Sequence, residues 1–381
     1  MKIGIITWHT GPNYGTNLQA IALQWYLRKE GHTVYLIDYN EQLTRWNYNK
    51  TITEKIKGKI YHFINSYANY KHGKEIVSRD DHLRASICQK CNLTDYVVTV
   101  EDFIDCCNTF DLIVVGSDQI WNPTWYAPLY YLDYEGINTG RISYAPSIGL
   151  NFIPYDIIPK IRHGLGKFHA ISVREESGAK LLKNISPVQP VVTVDPTLLL
   201  TSSEWIELFP QKTRYIEQNY VLSIFLTDNY CHWRAAKKFS IDKGLEHVIV
   251  PYMAFSYFQK GIICADTDLS KLLNLIQHAE YIITDSFHMT IFSLIFQKQF
   301  YVITRFKKKK QSSTNERVRN ILRIIDQNQR LQKYNCKRII ESDDIDYKVI
   351  MKSLLNEIKA SKMFLHNAIC KPQTTVNRVI V

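Results

Sequence analysis

Asp285, Ser286 and His288 fall within one four-residue span, between the β-branched run Tyr281–Thr284 and the apolar run Ile291–Phe296. Asp and Ser are good helix N-caps, so the stretch reads as strand, loop and helix, with Phe300–Ile303 starting the next strand. A helix N-terminus at the carboxyl edge of a parallel sheet offers free N–H groups and the positive end of a dipole, which suit an anion. His288 in the first turn adds a side chain able to carry a proton at neutral pH. The same stretch also fits an ordinary capped helix with a satisfied histidine.

Further polar residues stand where other apolar runs end. The run 111–115 ends in Gly116-Ser117-Asp118-Gln119-Ile120-Trp121, and 141–145 ends in Pro146-Ser147-Ile148-Gly149. The run 170–173 ends at Arg174-Glu175, and 191–194 ends in Asp195-Pro196-Thr197. In a parallel sheet such loops gather on one edge, so Asp118, Ser147 and Arg174 are expected to share a cleft. Separate capping roles are the alternative for any one of them.

The elements that must position these loops alternate along the chain. Residues 3–7 read as a strand, WHTGPNYGTN as a loop, 18–29 as a helix ended by Gly31, and 33–38 as a second strand. This is a βαβ unit whose Gly11 and Gly15 do not make the dinucleotide fingerprint, and Asp38 reads as a strand-end residue. Residues 1–200 are expected to form one Rossmann-like domain and 201–219 a linker. A second such domain is expected over 220–381, with a helix over 345–359 near its end. Within the first domain, 41–84 stands apart. Ile52, Ile56, Ile60, Phe63, Ile64 and Tyr67 recur at helical spacing, among and before Lys55, Lys57, Lys59, Lys71 and Lys74. A basic amphipathic helix on anionic lipid and a solvated helix packed on the domain both fit this pattern. The lysine run 307–310 reads as a solvated loop or as a rim of the cleft.

The chain has 381 residues, 45% hydrophobic and 22% charged, as in globular proteins with two α/β cores. Its net charge of +11 favours acidic partners. No RNP, zinc-finger or basic-helix signature is present, which argues against nucleic acid. The first apolar run is too short for a signal peptide, and no stretch reaches the length of a membrane span, so a cytoplasmic protein with mostly reduced cysteines is expected. Cys88, Cys91, Cys106 and Cys107 resemble a metal site only loosely, and no metal is expected.

Seven segments in order are similar to the polysaccharide pyruvyl transferase family: NYGTNLQAIALQWYL, FDLIVVGSDQIWNP, ISYAPSIG, ISVREESGAKLL, VTVDPTLLL, TDSFHMTIFSLIFQKQF and NERVRNIL. The resemblance implies an α/β fold with two Rossmann-like domains facing a cleft, GT-B-like. It implies transfer of a pyruvyl group from phosphoenolpyruvate to two sugar hydroxyls, giving a cyclic ketal in capsule or exopolysaccharide synthesis. Phosphoenolpyruvate is then a substrate, and no cofactor is needed. The family's histidine maps onto His288 and its arginine after the middle strand onto Arg174. Some members have a basic residue before the histidine; here it is Phe287, with Met289 where glycine is common, so another cation must serve. Arg317, in the NERV stretch with Asn315, is the best candidate, followed by Arg305.

The residue types suit that chemistry. A donor with a carboxylate and a phosphate needs fixed cations and N–H groups, so Arg174, Ser286, Asn315 and Arg317 are expected to bind it. His288 is the expected general acid, and Asp118 is expected to orient or deprotonate an acceptor hydroxyl. Asn13, Tyr14, Gly15, Ser117, Trp121 and Ser147 are expected on the acceptor side, Trp121 by stacking on a sugar. The expected acceptor is a sugar or lipid-linked oligosaccharide, with peripheral contact to an anionic membrane. A nucleotide-sugar glycosyltransferase and a non-catalytic sugar- or lipid-binding relative are the competing readings.

Overall fold

The computed structural model describes residues 1–44, 52–210, 213–306 and 314–370, and residues 52–65 and 314 as backbone alone. Two six-stranded sheets organise it, and all their strand pairs are parallel. The first half comprises β1 (Lys2–Ile6), α1 (Tyr14–Lys29), β2 (Thr33–Leu36), α2 (Ile52–Lys90), α3 (Val100–Asn108) and β3 (Leu112–Val115). It continues through β4 (Gly140–Ser143), α4 (Ile158–Leu165), β5 (Ala170–Val173), α5 (Glu176–Leu182) and β6 (Val191–Val192). After α6 (Ser202–Leu208) come β7 (Tyr220–Ile224), α7 (Tyr230–Asp242), β8 (Glu246–Ile249), β9 (Ile262–Ile263) and α8 (Leu269–His278). Then follow β10 (Tyr281–Thr284), α9 (Phe287–Ile295), β11 (Gln299–Ile303), α10 (Thr314–Ile324), β12 (Leu331–Gln332) and α11 (Tyr347–Cys370).

The first sheet has the order β2-β1-β3-β4-β5-β6 and the second β12-β11-β10-β7-β8-β9. Each reverses direction once, between β1 and β3 and between β7 and β10. Loops diverge there, which leaves a crevice outside the carboxyl ends of the strands. The central strands are apolar on both faces, as burial between helix layers requires; all four residues of β3 (LIVV) are buried. Gly31 follows the end of α1 with φ +90°, the left-handed geometry that glycine enters without a Cβ penalty.

The two halves are held together by contacts between residues far apart in sequence. The Tyr14 hydroxyl donates to the Thr267 carbonyl at 3.0 Å. Val194 N donates to Ser361 Oγ at 2.9 Å, and the His169 ring meets the Ala368 carbonyl at 3.0 Å, so α11 returns to the first half. The expected helix over 345–359 therefore runs on to Cys370, because Leu365, Ala368 and Ile369 find a buried surface outside their own half. Residues 201–219 carry α6, whose fully buried Trp205 lies edge-on to Phe292 at 5.1 Å.

Helix α2 is longer than its sequence pattern suggests, with a non-helical residue at His72 (φ −128°, ψ 21°). Part of the described stretch packs on protein, while Tyr70 and Val77 are exposed. Tyr67 stacks on Phe258, His72 stacks on Tyr257, and Arg79 donates to the Tyr257 hydroxyl at 3.2 Å. The side chains of Lys55, Lys57 and Lys59 and the run 307–310 lie outside the described residues. No helix among the described residues is long and apolar enough to cross a membrane.

Candidate active site

Both reversals of strand order deliver polar residues to one place. β1 leads to the start of α1, where Asn13 accepts from Gly15 N (3.0 Å) and Thr16 N (3.4 Å) as N-cap. β3 leads to Asp118. Gly116 makes that turn possible: at φ +141° a Cβ there would lie 2.0 Å from the Tyr144 carbonyl oxygen. Asp118 itself sits at φ +63°, a region that aspartate tolerates better than most residues, and its carbonyl accepts from Ser147 N. β10 leads to Ser286, which caps α9 through Met289 N at 3.5 Å and puts His288 in the first turn, as expected from the sequence.

These loops build a charge cluster across the cleft. Arg174 lends Nη1 to Asp195 and Nη2 to Asp118 (3.4 Å). The Thr16 hydroxyl donates to Asp118 Oδ2 at 2.7 Å. From the second half, Arg317 Nη1 stands 3.8 Å from Asp118 Oδ1 and His288 Nε2 stands 3.4 Å from Asp195 Oδ2. The His288 separation is within ion-pair reach, yet the alignment makes no hydrogen bond, so Nε2 has an ion-pair contact and no hydrogen-bond partner. The Nε atoms of Arg174, Arg305 and Arg317 are also buried and unpartnered. The other side of the imidazole rests on Gly15, where an ideal Cβ would fall 2.1 Å from His288 Nδ1.

The electrostatics follow from this crowding. Burial opposes ionisation of Asp118, but His288, Arg174 and Arg317 together with the Thr16 hydroxyl outweigh it and hold the carboxyl below its usual range. Burial likewise opposes the charge on Asp195, and His288 and Arg174 overcome it more strongly. Arg317 goes the other way. Burial and the charges of Arg174 and Arg305 push it down to about 9, only partly offset by Asp118 and Glu175. A guanidinium keeps its proton at neutral pH even so, which leaves a buried positive charge short of compensation. Phe287 lies against both cations, with its ring centre 4.7 Å from the Arg174 guanidinium carbon and 5.5 Å from that of Arg317. The aromatic ring thus meets two guanidinium groups, a favourable cation–π arrangement.

The expected site residues divide into two groups. His288, Asp118, Arg174, Arg317, Ser286 and Gly15 are brought to the cluster. Asn315 accepts from Arg305 N (3.0 Å) and donates to the Phe306 carbonyl, so it fixes the chain after β11. Tyr14 ties the halves together, as described above. Trp121 has no face free for a sugar: it is fully buried, stacked on Tyr131 at 5.4 Å, and its N–H donates to the Tyr130 carbonyl. Ser117 is buried with its hydroxyl on the Ala145 carbonyl. The hydroxyl of Ser147 donates to Glu175, which also accepts from Ile148 N and Gly149 N and so pins that loop.

Asp195 and Thr16 belong to the cluster without having been expected there. The signal for Asp195 was its place at the end of an apolar run; it caps the turn Pro196–Leu199 through Thr197 N and Thr197 Oγ1. Nothing in the sequence marks Thr16. The cluster thus sets Arg317, whose nearest carboxylate oxygen is 3.8 Å away, in one buried group with a histidine whose Nε2 faces Asp195 without making a hydrogen bond. Among the described residues no group of three or more His, Cys, Asp or Glu could hold a metal ion, and the eight cysteines are free.

A family model described as polysaccharide pyruvyl transferase matches residues 13–305. No curated protein matches the chain in sequence. Among solved structures, UDP-GlcNAc 2-epimerase from Methanocaldococcus jannaschii is similar at a TM-score of 0.50 and 11% identity, over 97% of this chain and 100% of that one. UDP-GlcNAc 2-epimerase from Neisseria meningitidis, bound to UDP-GlcNAc, gives 0.46 and 12% over 97% and 94%. An E. coli heptosyltransferase with ADP gives 0.40 and 10% over 97% and 100%. At such identities the first of these speaks for the fold alone: two Rossmann-like domains facing a cleft, the GT-B-like arrangement.

Proposed function

The chain belongs to the polysaccharide pyruvyl transferase family, and from that premise we propose that it moves a pyruvyl group from phosphoenolpyruvate to two hydroxyls of a sugar. The acceptor is a cell-surface polysaccharide precursor carried on lipid, and the product is a cyclic ketal with release of phosphate. One observation carries the reading. Arg317 is buried with its Nη1 3.8 Å from the Asp118 carboxylate and its Nε without a hydrogen bond, in a cluster that also contains His288, whose Nε2 makes no hydrogen bond. A dianionic donor meets the need of the first, and protonation of its methylene carbon meets the capacity of the second.

In this mechanism His288 Nε2 gives a proton to the methylene carbon, which becomes a methyl group and leaves the adjacent carbon cation-like. The oxygen of one sugar hydroxyl bonds to that carbon and gives up its proton. The second hydroxyl oxygen bonds to the same carbon as the carbon–oxygen bond to phosphate breaks. The departing phosphate keeps the bonding pair. One hydroxyl proton replaces the one spent by His288, and the other leaves with phosphate. Asp118, already held ionised, lies 3.4 Å from Arg174 and is the group suited to orient an acceptor hydroxyl. Arg317 and Arg305 balance the donor's charge as it shifts onto phosphate.

The test is direct mixing of phosphoenolpyruvate with lipid-linked oligosaccharides, followed by phosphate release and by mass spectrometry of the glycan. A glycan that gains a pyruvyl ketal in step with phosphate supports the reading. Release of a nucleotide from a sugar nucleotide, with phosphoenolpyruvate left intact, overturns it.

A further inference from the structure

Near the charge cluster lies a cavity of about 490 Å³, within the size range of small-molecule sites. Its walls are the loop His9–Pro12, the stretch 38–42 after β2, and one side of α2 from Asp80 to Cys88. Three consecutive residues of α1 connect it to the cluster. Gly15 touches the His288 ring, Thr16 holds Asp118, and Asn17 lines the cavity. Asn17 is 1% exposed and donates Nδ2 to the Gly11 carbonyl at 3.2 Å, while its Oδ1 has no hydrogen-bond partner. A buried carbonyl oxygen left unpaired beside a cavity is costly, and a ligand hydroxyl that reached it would satisfy it.

The lining has a charge opposite to that of the donor cluster. Asp38, Glu41, Asp80 and Asp81 contribute carboxylates, against Arg84 on the same wall and His9, which meets Asp38 at 3.2 Å. Asp80 also pairs with Arg79, and Glu41 accepts from the Thr10 hydroxyl at 3.1 Å. Asp81 is exposed. Carboxylates accept paired hydrogen bonds from neighbouring hydroxyls, and they repel another anion. Two adjoining sites of opposite sign sort two substrates: the anionic one to the guanidinium groups, the other to the carboxylates.

We propose that this cavity is the acceptor subsite and that it takes an uncharged, hydroxyl-rich sugar unit while rejecting acidic sugars. The inference rests on the pyruvyl-transfer reading for the identity of the second substrate. Sequence reasoning pointed to none of these carboxylates as ligands, because they come from two segments, the stretch 38–42 and α2, whose meeting depends on how α2 packs.

Cys88 offers a probe, since it is an exposed free thiol on the cavity wall. Maleimide labelling of Cys88 would be followed by peptide mass spectrometry, without phosphoenolpyruvate. The competitors are methyl glycosides of common hexoses and N-acetylhexosamines, alongside the matching uronic acids. At least one neutral sugar should slow labelling, and its uronic counterpart should not. Exchanging the exposed carboxylates, Glu41→Gln with Asp81→Asn, should weaken protection by the neutral sugar by about tenfold or more, the loss expected for charged hydrogen bonds. The same exchange should narrow the gap to the acidic sugar. Equal protection by neutral and acidic sugars overturns the inference, as does no protection by any neutral sugar, whether or not phosphoenolpyruvate is turned over. Protection without any pyruvyl transfer leaves the cavity a sugar site and sinks the transfer reading instead.

Discussion

Replacing Gly15 with alanine tests the placement of His288 without touching a reacting group. An ideal Cβ at position 15 falls 2.1 Å from His288 Nδ1, 2.4 Å from Cγ and 2.8 Å from Cβ, whereas ordinary contact begins near 3.4 Å. From 2.1 to 3.4 Å the imidazole must retreat by 1.3 Å, away from its place between Gly15 and Asp195. A misplacement of about 1 Å in a catalytic group can lower a rate by roughly 100-fold. Stability should change far less. The clash costs about 1–3 kcal/mol as overpacking, and alanine returns up to about 1 kcal/mol as a better helix former than glycine. Gly15→Ala should therefore melt within a few degrees of the parent while losing two orders of magnitude in phosphate release. In a His288→Ala background the ring is gone, so the same alanine should be neutral or stabilising and should cost no further activity. Turnover of the single variant within threefold of the parent, with an unchanged melting point, would refute the idea that His288 acts from this position.

Arg317→Met should weaken phosphoenolpyruvate binding by about 10–100-fold, the worth of a charged hydrogen bond, and leave melting unchanged or slightly raised, by calorimetry and thermal scans. Phosphoenolpyruvate at about 100 times its dissociation constant should stabilise the parent by about 2.7 kcal/mol, a rise of roughly 3 °C for a chain of this size, and the rise should shrink in Arg317→Met at the same concentration. Arg174→Ala should instead destabilise the fold by about 3–5 kcal/mol, since Asp195 loses its buried partner, and Arg174→Lys should restore only part of it. On acidification, Asp118 and Asp195 have folded pKa values held below the unfolded range. Their contribution to stability is therefore complete above about pH 4 and is lost as pH falls through the folded values. Urea melts from pH 5 downward should fall more steeply for the parent than for Asp195→Asn.

What the sequence could tell depended on the distance over which each feature is determined. The start of α9 was legible because a cap is local: Ser286 and the apolar run behind it fix the helix, and His288 follows. The strand ends were legible for the same reason, since apolar runs stop where polar loops begin. Trp121 was not, because a tryptophan that stacks on a sugar and one that stacks on Tyr131 have the same sequence neighbours. Tyr14 was not, because its partner, the Thr267 carbonyl, comes from the other half. Asp195 stands 77 residues from Asp118, and only the sheet order brings both onto Arg174. Helix α11 was read too short because its last residues answer to the first half rather than to their own.

The arginines show why residue type alone assigns roles poorly. Arg174 was expected to clamp the donor with its bidentate fork, but both of its terminal nitrogens already serve Asp195 and Asp118, and Nε alone is unpartnered. In the structure it ties together two carboxylates, Asp195 beside His288 and Asp118 beside Thr16. Arg317 lacks that compensation: its Nη1 is 3.8 Å from Asp118, its Nε has no partner, and its charge is pushed toward loss. An anion entering the cluster therefore gains most from Arg317, with Arg305 behind it, and would gain from Arg174 only by competing with buried carboxylates. Phe287 fits this division. Where another basic residue would add a third charge beside two guanidinium groups, a ring satisfies both without competing for the ligand. Arg317 comes from the second half and Arg174 from the first, so if an anion binds at Arg317 as proposed, its affinity should depend on how closely the two halves meet.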